Sequence, residues 1–153
     1  MPQTGEGQRG ADRLPDPEYA RRVTPDPMVV PLDQVPVTPA EQAVTRVRIA
    51  RTVTRARCGS ELMQGVCWMD PGEETNTWSS HAADDTADDD HWYGPVQETY
   101  FIIRGHLTLT SDAGVFELRE HDSVYLAPGH TYHLKNTGSE PAFFVYSMTP
   151  SQE

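Results

Sequence analysis

The sequence predicts an all-β protein: short antiparallel strands in a single sandwich or barrel, preceded by a proline-rich extended arm. Three observations carry this. From residue 44 onward, short runs rich in β-branched and aromatic residues recur, each closed by Gly, Pro, Asn or Asp. No stretch downstream of residue 44 sustains a helical period over three turns. Eight of the 13 prolines fall within residues 1–40, at positions 2, 15, 17, 25, 27, 31, 36 and 39. Proline fixes φ and removes a backbone donor, so neither a long helix nor a central strand fits there.

Taken in order, residues 1–24 mix both charge signs with few apolar side chains and are expected to be disordered. Met28–Val37 is apolar and extended, and reads either as an arm lying on the domain or a partner subunit, or as a loose linker. Residues 1–40 are therefore read as an arm and residues 41–153 as the folded domain. Strands are expected over Val44–Thr54 and over Glu61–Met69, the latter closed by the turn Asp70-Pro71-Gly72. Glu73–Asp90 reads as one long polar loop ending in a run of aspartates. Strands follow at Glu98–Ile103 and His106–Thr110, separated by Gly105. The turn Ser111-Asp112-Ala113-Gly114 then makes a hairpin with Val115–Leu118. Ser123–Leu126, Tyr132–Lys135 and Ala142–Met148 complete the set.

The chain has 153 residues, enough for one core. Its 12 Lys and Arg against 23 Asp and Glu leave a net charge of -11. Such a surface repels phosphate backbones and anionic lipid, so neither nucleic acid nor a membrane surface is an expected partner. No apolar run approaches the about 20 residues of a membrane-spanning helix, and the first residues do not read as a secretory signal. Cys58 and Cys67 are the only cysteines, too few for a disulfide scaffold, and are expected to be reduced and half-buried in a cytoplasmic protein.

Two patterns carry the chemistry. Glu98 to Gly105 has the spacing Glu-x6-Gly, with His91 and Tyr93 seven and five residues before the glutamate. His121 to Asn136 runs in register with Gly-x5-Pro-x-Gly-x2-His-x3-Asn, with Asp122, Gly129 and Asn136 in place. Over residues 55–148 the chain thus resembles a single-domain cupin of the RmlC-like superfamily. The resemblance implies a jelly-roll-like barrel, a double-stranded β-helix, whose inward side chains surround a small cavity. It also implies a divalent metal, held by two histidines and a glutamate from the first motif and a histidine from the second. Independently of the resemblance, Glu98 lies in an otherwise apolar strand, where a lone carboxylate needs a cation or a hydrogen-bonding partner.

The sequence departs from that pattern. Tyr93 stands for the second histidine of the first motif, Tyr132 for the histidine of the second, and His121 for the leading glycine of the second. Counting forward from Pro71-Gly72 lands the first histidine on Trp78, in the segment Trp78–His81, whereas counting back from Glu98 gives His91–Tyr93. Both registers stay open. The expected metal set is His91, Glu98, Tyr93 and Tyr132, with His81, His130 and His133 as alternates. Mixed histidine, carboxylate and tyrosinate ligation suits iron, and also zinc or manganese. Strand alternation points His133 away from the cavity, while His130 shares the parity of Tyr132. The other reading is a metal-free cavity in which tyrosine hydroxyls satisfy Glu98. No organic cofactor is expected.

The run Asp84–Asp90 lacks the glycine and terminal glutamate of a calcium loop and reads as a solvated acidic loop, or a lid that discourages anions. Trp68, Trp78, Trp92, Tyr93, Tyr100 and Tyr132 flank the motifs as core residues or as the wall of a ligand site. The functional expectation is a small cupin enzyme acting on a small organic metabolite by metal-assisted lyase, isomerase or cyclase chemistry, with dioxygenase chemistry less favoured. Glu98, Tyr93, Tyr100 and Tyr132 are its catalytic candidates. The alternative is a metal-free small-molecule-binding cupin without catalysis. A homodimer is expected, with the Met28–Val37 arm crossing between subunits.

Overall fold

A computed structural model of the chain describes residues 25–43, 45–80, 91–92 and 95–150. Residues 1–24 and the Asp84–Asp90 run lie outside the described residues. Period-two alternation sorts the strands into two faces. In β5 (Gln97–Arg104), Glu98, Tyr100 and Ile102 are buried while Gln97, Thr99, Phe101 and Ile103 are exposed. The same alternation runs through β10 (Ala142–Thr149), which buries Ala142, Phe144, Tyr146 and Met148. The other strands are β1 (Arg48–Val53), β2 (Met63–Met69), β3 (Trp78–Ser79), β4 (His91–Trp92), β6 (Leu107–Ser111), β7 (Gly114–Leu118), β8 (Ser123–Leu126) and β9 (Thr131–Lys135).

These strands form two five-stranded sheets, ordered β1-β2-β10-β5-β8 and β4-β3-β9-β6-β7. All their pairings are antiparallel except β3 with β4. One core lies between the sheets, built from side chains of both, among them Ile49, Met69 and Phe144 of the first sheet and Trp78, Leu109 and Leu134 of the second. The two-sheet, almost helix-free architecture is that of a cupin-type jelly roll. The described helical structure is slight: a 3-10 turn at Leu32–Gln34 and α1 (Arg55–Cys58). In α1 the Thr54 hydroxyl accepts the Arg57 N–H at 3.1 Å, and Gly59 ends the turn at φ 67.

Two boundaries differ from those read in the sequence. The first strand begins at Arg48 instead of Val44, because Arg46 takes φ 61, a left-handed conformation that breaks extended backbone. The polar stretch Glu73–Asp90 is not one loop, since Trp78–Ser79 forms β3. Two residues are too short for a periodicity. What makes them a strand is their pairing with β9, Trp78 opposite Tyr132 and Ser79 opposite Thr131.

The Met28–Val37 segment reads in the sequence as an arm on the domain or a partner subunit, or as a loose linker; its buried contacts are with the first sheet. Thr38 and Ile49 exchange backbone bonds of 2.9 and 3.2 Å, and Val35 is buried with Ala50 and Val66 against Trp68, Phe143 and Val145.

Two glycines are required by close approach. At Gly105, with φ 94, an added Cβ would sit 2.7 Å from the Ala142 Cα, which is why the first motif ends on glycine. At Gly65 a Cβ would lie 2.5 Å from the Tyr146 hydroxyl and 2.7 Å from the Ala50 carbonyl oxygen, so the Tyr146 ring lies directly over the β2 backbone. Gly65→Ala is therefore expected to lower stability by about 1–3 kcal/mol through overpacking. Urea unfolding at unchanged m-value measures this, and an unaltered midpoint would mean that Tyr146 does not cover β2.

Candidate functional site

The site is built around Glu98. On β5 it lies between Met148 of β10 and Leu126 of β8, its Cα partners on either side, and it is 3% exposed. Among the described residues it is the one buried side chain that is ordinarily a carboxylate or a base. Tyr132 reaches it from β9 of the opposite sheet. The phenol donates to Glu98 Oε2 at 2.5 Å, so this hydrogen bond spans the two sheets. Trp78 packs edge-on against Tyr132, with ring centroids 5.2 Å apart and planes at 82°. Tyr100, one inward position along β5 from Glu98, packs edge-on against Phe144.

Burial pushes the Glu98 carboxyl up to about 7, and hydrogen bonds from Tyr132, Tyr100 and Trp78 oppose that rise. A carboxyl in this range carries its proton at mildly acid pH and releases it near neutrality. Cys67, buried on β2, has its thiol pushed up by burial and then by the Glu98 charge, with Arg51 offsetting part. It is a packing residue rather than a nucleophile.

The structure brings together Glu98, Tyr100 and Tyr132 of the expected site. It does not bring His130 or His133 to them. His130 Nδ1 is held by Asp112 Oδ1 at 2.9 Å, and His133 Nε2 pairs with Glu74 Oε1 at 3.2 Å on the strand face opposite Tyr132. Burial raises the Asp112 carboxyl, but the His130 hydrogen bond and charge outweigh it and hold the group below its ordinary value. His81 and Tyr93 lie outside the described residues. His91 is placed by its backbone alone, beside Trp78 in β4 at the sheet edge. The strand next to β9 is thus β3, and the forward count from Gly72 supplies the residue facing Tyr132. Ser80, two residues on, is fully buried and pins the turn before β9: its N–H donates to the His130 carbonyl at 2.9 Å, and its own carbonyl accepts the Gly129 N–H at 2.8 Å. Motif counting passed over Asn76, which the structure buries.

Cupins often bind metals. Among the described residues, no three His, Cys, Asp or Glu side chains gather in a metal-holding group. The Tyr132 phenol is hydrogen-bonded to Glu98. Of the expected metal set His91, Glu98, Tyr93 and Tyr132, the side chains of Glu98 and Tyr132 are described, and they hydrogen-bond each other.

The raised carboxyl makes a stability prediction. The folded chain holds the Glu98 proton more tightly than the unfolded chain, whose value is near 4.5. Its contribution is full below about pH 4.5 and declines as pH rises through about 7. Relative to Glu98→Gln, the wild-type protein should lose roughly 3 kcal/mol of unfolding free energy between about pH 4.5 and about pH 8. Denaturant titrations of both proteins across this range read the difference, and a flat difference would refute the raised value.

Among solved structures, a predicted oxalate decarboxylase from Thermotoga maritima is similar at 14% identity and TM-score 0.64, over 80% of this chain and 99% of that one. The cupin domain of Schizosaccharomyces pombe Cnp3 is similar at 17% identity and TM-score 0.58, over 79% and 72%. A sugar phosphate isomerase of the cupin superfamily from Silicibacter pomeroyi is similar at 16% identity and TM-score 0.56, over 80% and 75%. These likenesses concern the fold. No curated protein sequence matches the chain. Among the described residues no helix is long and apolar enough to cross a membrane. The family model of the cupin domain matches residues 65–148, more than half of the sequence and the span that contains both sheets' central strands and the Glu98–Tyr132 bond, and the chain belongs to the cupin family.

Proposed function

We propose that this cupin takes one small organic carbonyl compound between its sheets and moves a proton on it, as an isomerase or lyase. The observation that carries the reading is the buried Tyr132–Glu98 hydrogen bond around a carboxyl raised to about 7. A group with that value serves both as base and as acid near neutrality. Glu98, ionised, takes the proton from the carbon next to the carbonyl. As Glu98 takes up the proton, the Tyr132 hydroxyl turns from it and, with that of Tyr100, donates to the enolate oxygen as charge develops there. In an α-hydroxy carbonyl compound, passing the hydroxyl proton to the former carbonyl oxygen and returning the carbon-bound proton to the former carbonyl carbon completes an isomerisation, and departure of a β-leaving group completes an elimination. The name of the sugar phosphate isomerase among the similar structures agrees with the first outcome. No step is routed through a metal.

The test follows hydroxyacetone and dihydroxyacetone in deuterated buffer by proton NMR, with the chelator EDTA present. Exchange at the carbon next to the carbonyl should exceed the buffer rate by about 100-fold. It should rise through about pH 7 and fall to background in Glu98→Gln. Full exchange in Glu98→Gln would overturn the assignment of the base. Loss of exchange on chelation would return the first role to a metal. Binding without turnover is the second reading, supported by the near-complete burial of Glu98 and Tyr132, and it predicts saturable binding with no exchange.

The reading includes a homodimer through the outer face of the first sheet. Phe101, Ile103 and Tyr125 are exposed there on adjacent strands, with Thr99 and Tyr125 as Cα partners. Light scattering at micromolar concentration should give twice the chain mass, and Phe101→Lys should give a monomer. A monomeric wild-type chain would end this part of the proposal.

A further inference from the structure

Side chains do not fill the space between the sheets out to its edge. Where β7 and β8 end their respective sheets, a slot of about 390 Å³ lies between them. Its apolar walls are Leu109 of β6, Phe116 and Leu118 of β7, and Val124 and Leu126 of β8. Leu109, Leu118 and Leu126 belong to the core, Val124 packs against it, and Phe116 is half-exposed. Unbroken registers put all five on the inner faces. Leu109 and Phe116 are Cα partners, as are Leu107 and Leu118, Tyr100 and Val124, and Glu98 and Leu126. The slot lies one strand over from the Glu98–Tyr132 hydrogen bond, because Leu126 is the Cα partner of Glu98 and Ser111 that of Tyr132. Neither Glu98 nor Tyr132 lines it.

The slot also has a polar lining, Ser111 and His130. Asp112 ties the two together: its N–H donates to the Thr131 carbonyl at 3.1 Å, and its Oδ1 holds His130 Nδ1 at 2.9 Å. The Ser111 hydroxyl accepts the Ala113 N–H at 3.0 Å, which leaves its own proton to donate. Asp112, whose carboxyl stays below its ordinary value, is ionised near neutrality and can only accept, so Nδ1 carries the proton. In the neutral ring the acceptor is then Nε2, the nitrogen left for a molecule in the slot. Ser111 and His130 thus offer one donor and one acceptor. Among the described residues no lysine or arginine lines the slot, whereas Glu117 and Asp122 do.

We propose that this slot binds a small uncharged phenol, with its ring between β7 and β8 and its hydroxyl accepting from Ser111 and donating to His130. The volume is at the lower end of the about 300–1,000 Å³ of small-molecule sites, which suits a single ring. A hydroxyl both accepts and donates, so it meets both polar groups at once. An ether or ketone would leave the His130 acceptor unmet. A carboxylate would meet acidic side chains in a protein of net charge -11. The proposal does not rest on proton transfer by Glu98.

The test titrates the full chain with para-fluorophenol, followed by fluorine NMR near neutral pH. The control is para-fluorotoluene, which has a methyl group in place of the hydroxyl. The phenol should bind about fivefold more tightly, as two hydrogen bonds at a half-exposed site allow. With leucine and valine methyls labelled, its ring protons should show nuclear Overhauser contacts to Leu109, Val124 and Leu126. Ser111→Ala and His130→Ala should each remove most of the preference while fluorotoluene affinity stays within about twofold. Val124→Phe should fill the slot and abolish binding of both compounds, with circular dichroism and melting confirming that the variant folds. Equal or tighter binding of fluorotoluene overturns the proposal. So do ring contacts to methyls outside the slot, or undiminished binding in folded Val124→Phe. Slot contacts that appear only on dilution to the monomer also overturn it, because they give the slot to a second copy of the chain.

Discussion

A carboxyl group buried between two sheets has few ways to exist, and Glu98 uses the least costly of them. Burial raises its value toward neutrality, so the charge is withdrawn before it must be solvated. What charge remains is met by the Tyr132 hydroxyl from the facing sheet. Much of the surrounding structure follows from that bond. Tyr132 must be delivered by β9 at the height of Glu98 on β5, which fixes how the two sheets stand against one another. Trp78 closes on the Tyr132 ring edge and holds it there. Tyr146 fills the neighbouring space by lying over the β2 backbone, and only a glycine at position 65 leaves room for it.

The cupin motif positions separate into two kinds. Those the backbone needs are kept or their conformation is kept. Gly105 clears Ala142, and Asn136 ties the turn after β9 to Met69 and Glu140. His121 stands where the second motif begins with glycine, and it takes φ 70. A left-handed non-glycine residue costs about 1–2 kcal/mol, here set against backbone bonds from His121 N–H to the Ile102 carbonyl at 2.7 Å and from Ile102 N–H to the Asp122 carbonyl at 3.0 Å. The family's glutamate is kept as Glu98, but its histidine positions are treated otherwise. Counted from Gly72 and from Gly129, they carry Trp78, Ser80 and Tyr132. In the described structure these three pack, pin a turn and donate to Glu98.

The outer surface follows a different logic. The arm covers part of the first sheet with Val30 and Val35, leaving Phe101, Ile103 and Tyr125 bare beyond it. The histidines at the periphery are spent on carboxylates: His106 on Glu117, His130 on Asp112, and His133 on Glu74. Imidazoles that composition alone offers as ligands are thereby committed to the surface of an acidic protein.

The sequence by itself determined the all-β class and most strands, because period-two burial writes itself into residues such as 98–102 and 142–148 regardless of what they pack against. It also determined that Glu98 needs compensation, since an acid in an apolar strand is a local contradiction visible without coordinates. It did not reveal β3, whose two residues become a strand only through β9. Nor did it decide between the two registers around the insertion, because both counts are consistent with local spacing. That choice depends on which segment lies beside Tyr132, a contact across 54 residues that only tertiary pairing makes. The partner of Glu98 was decided the same way, from a facing sheet.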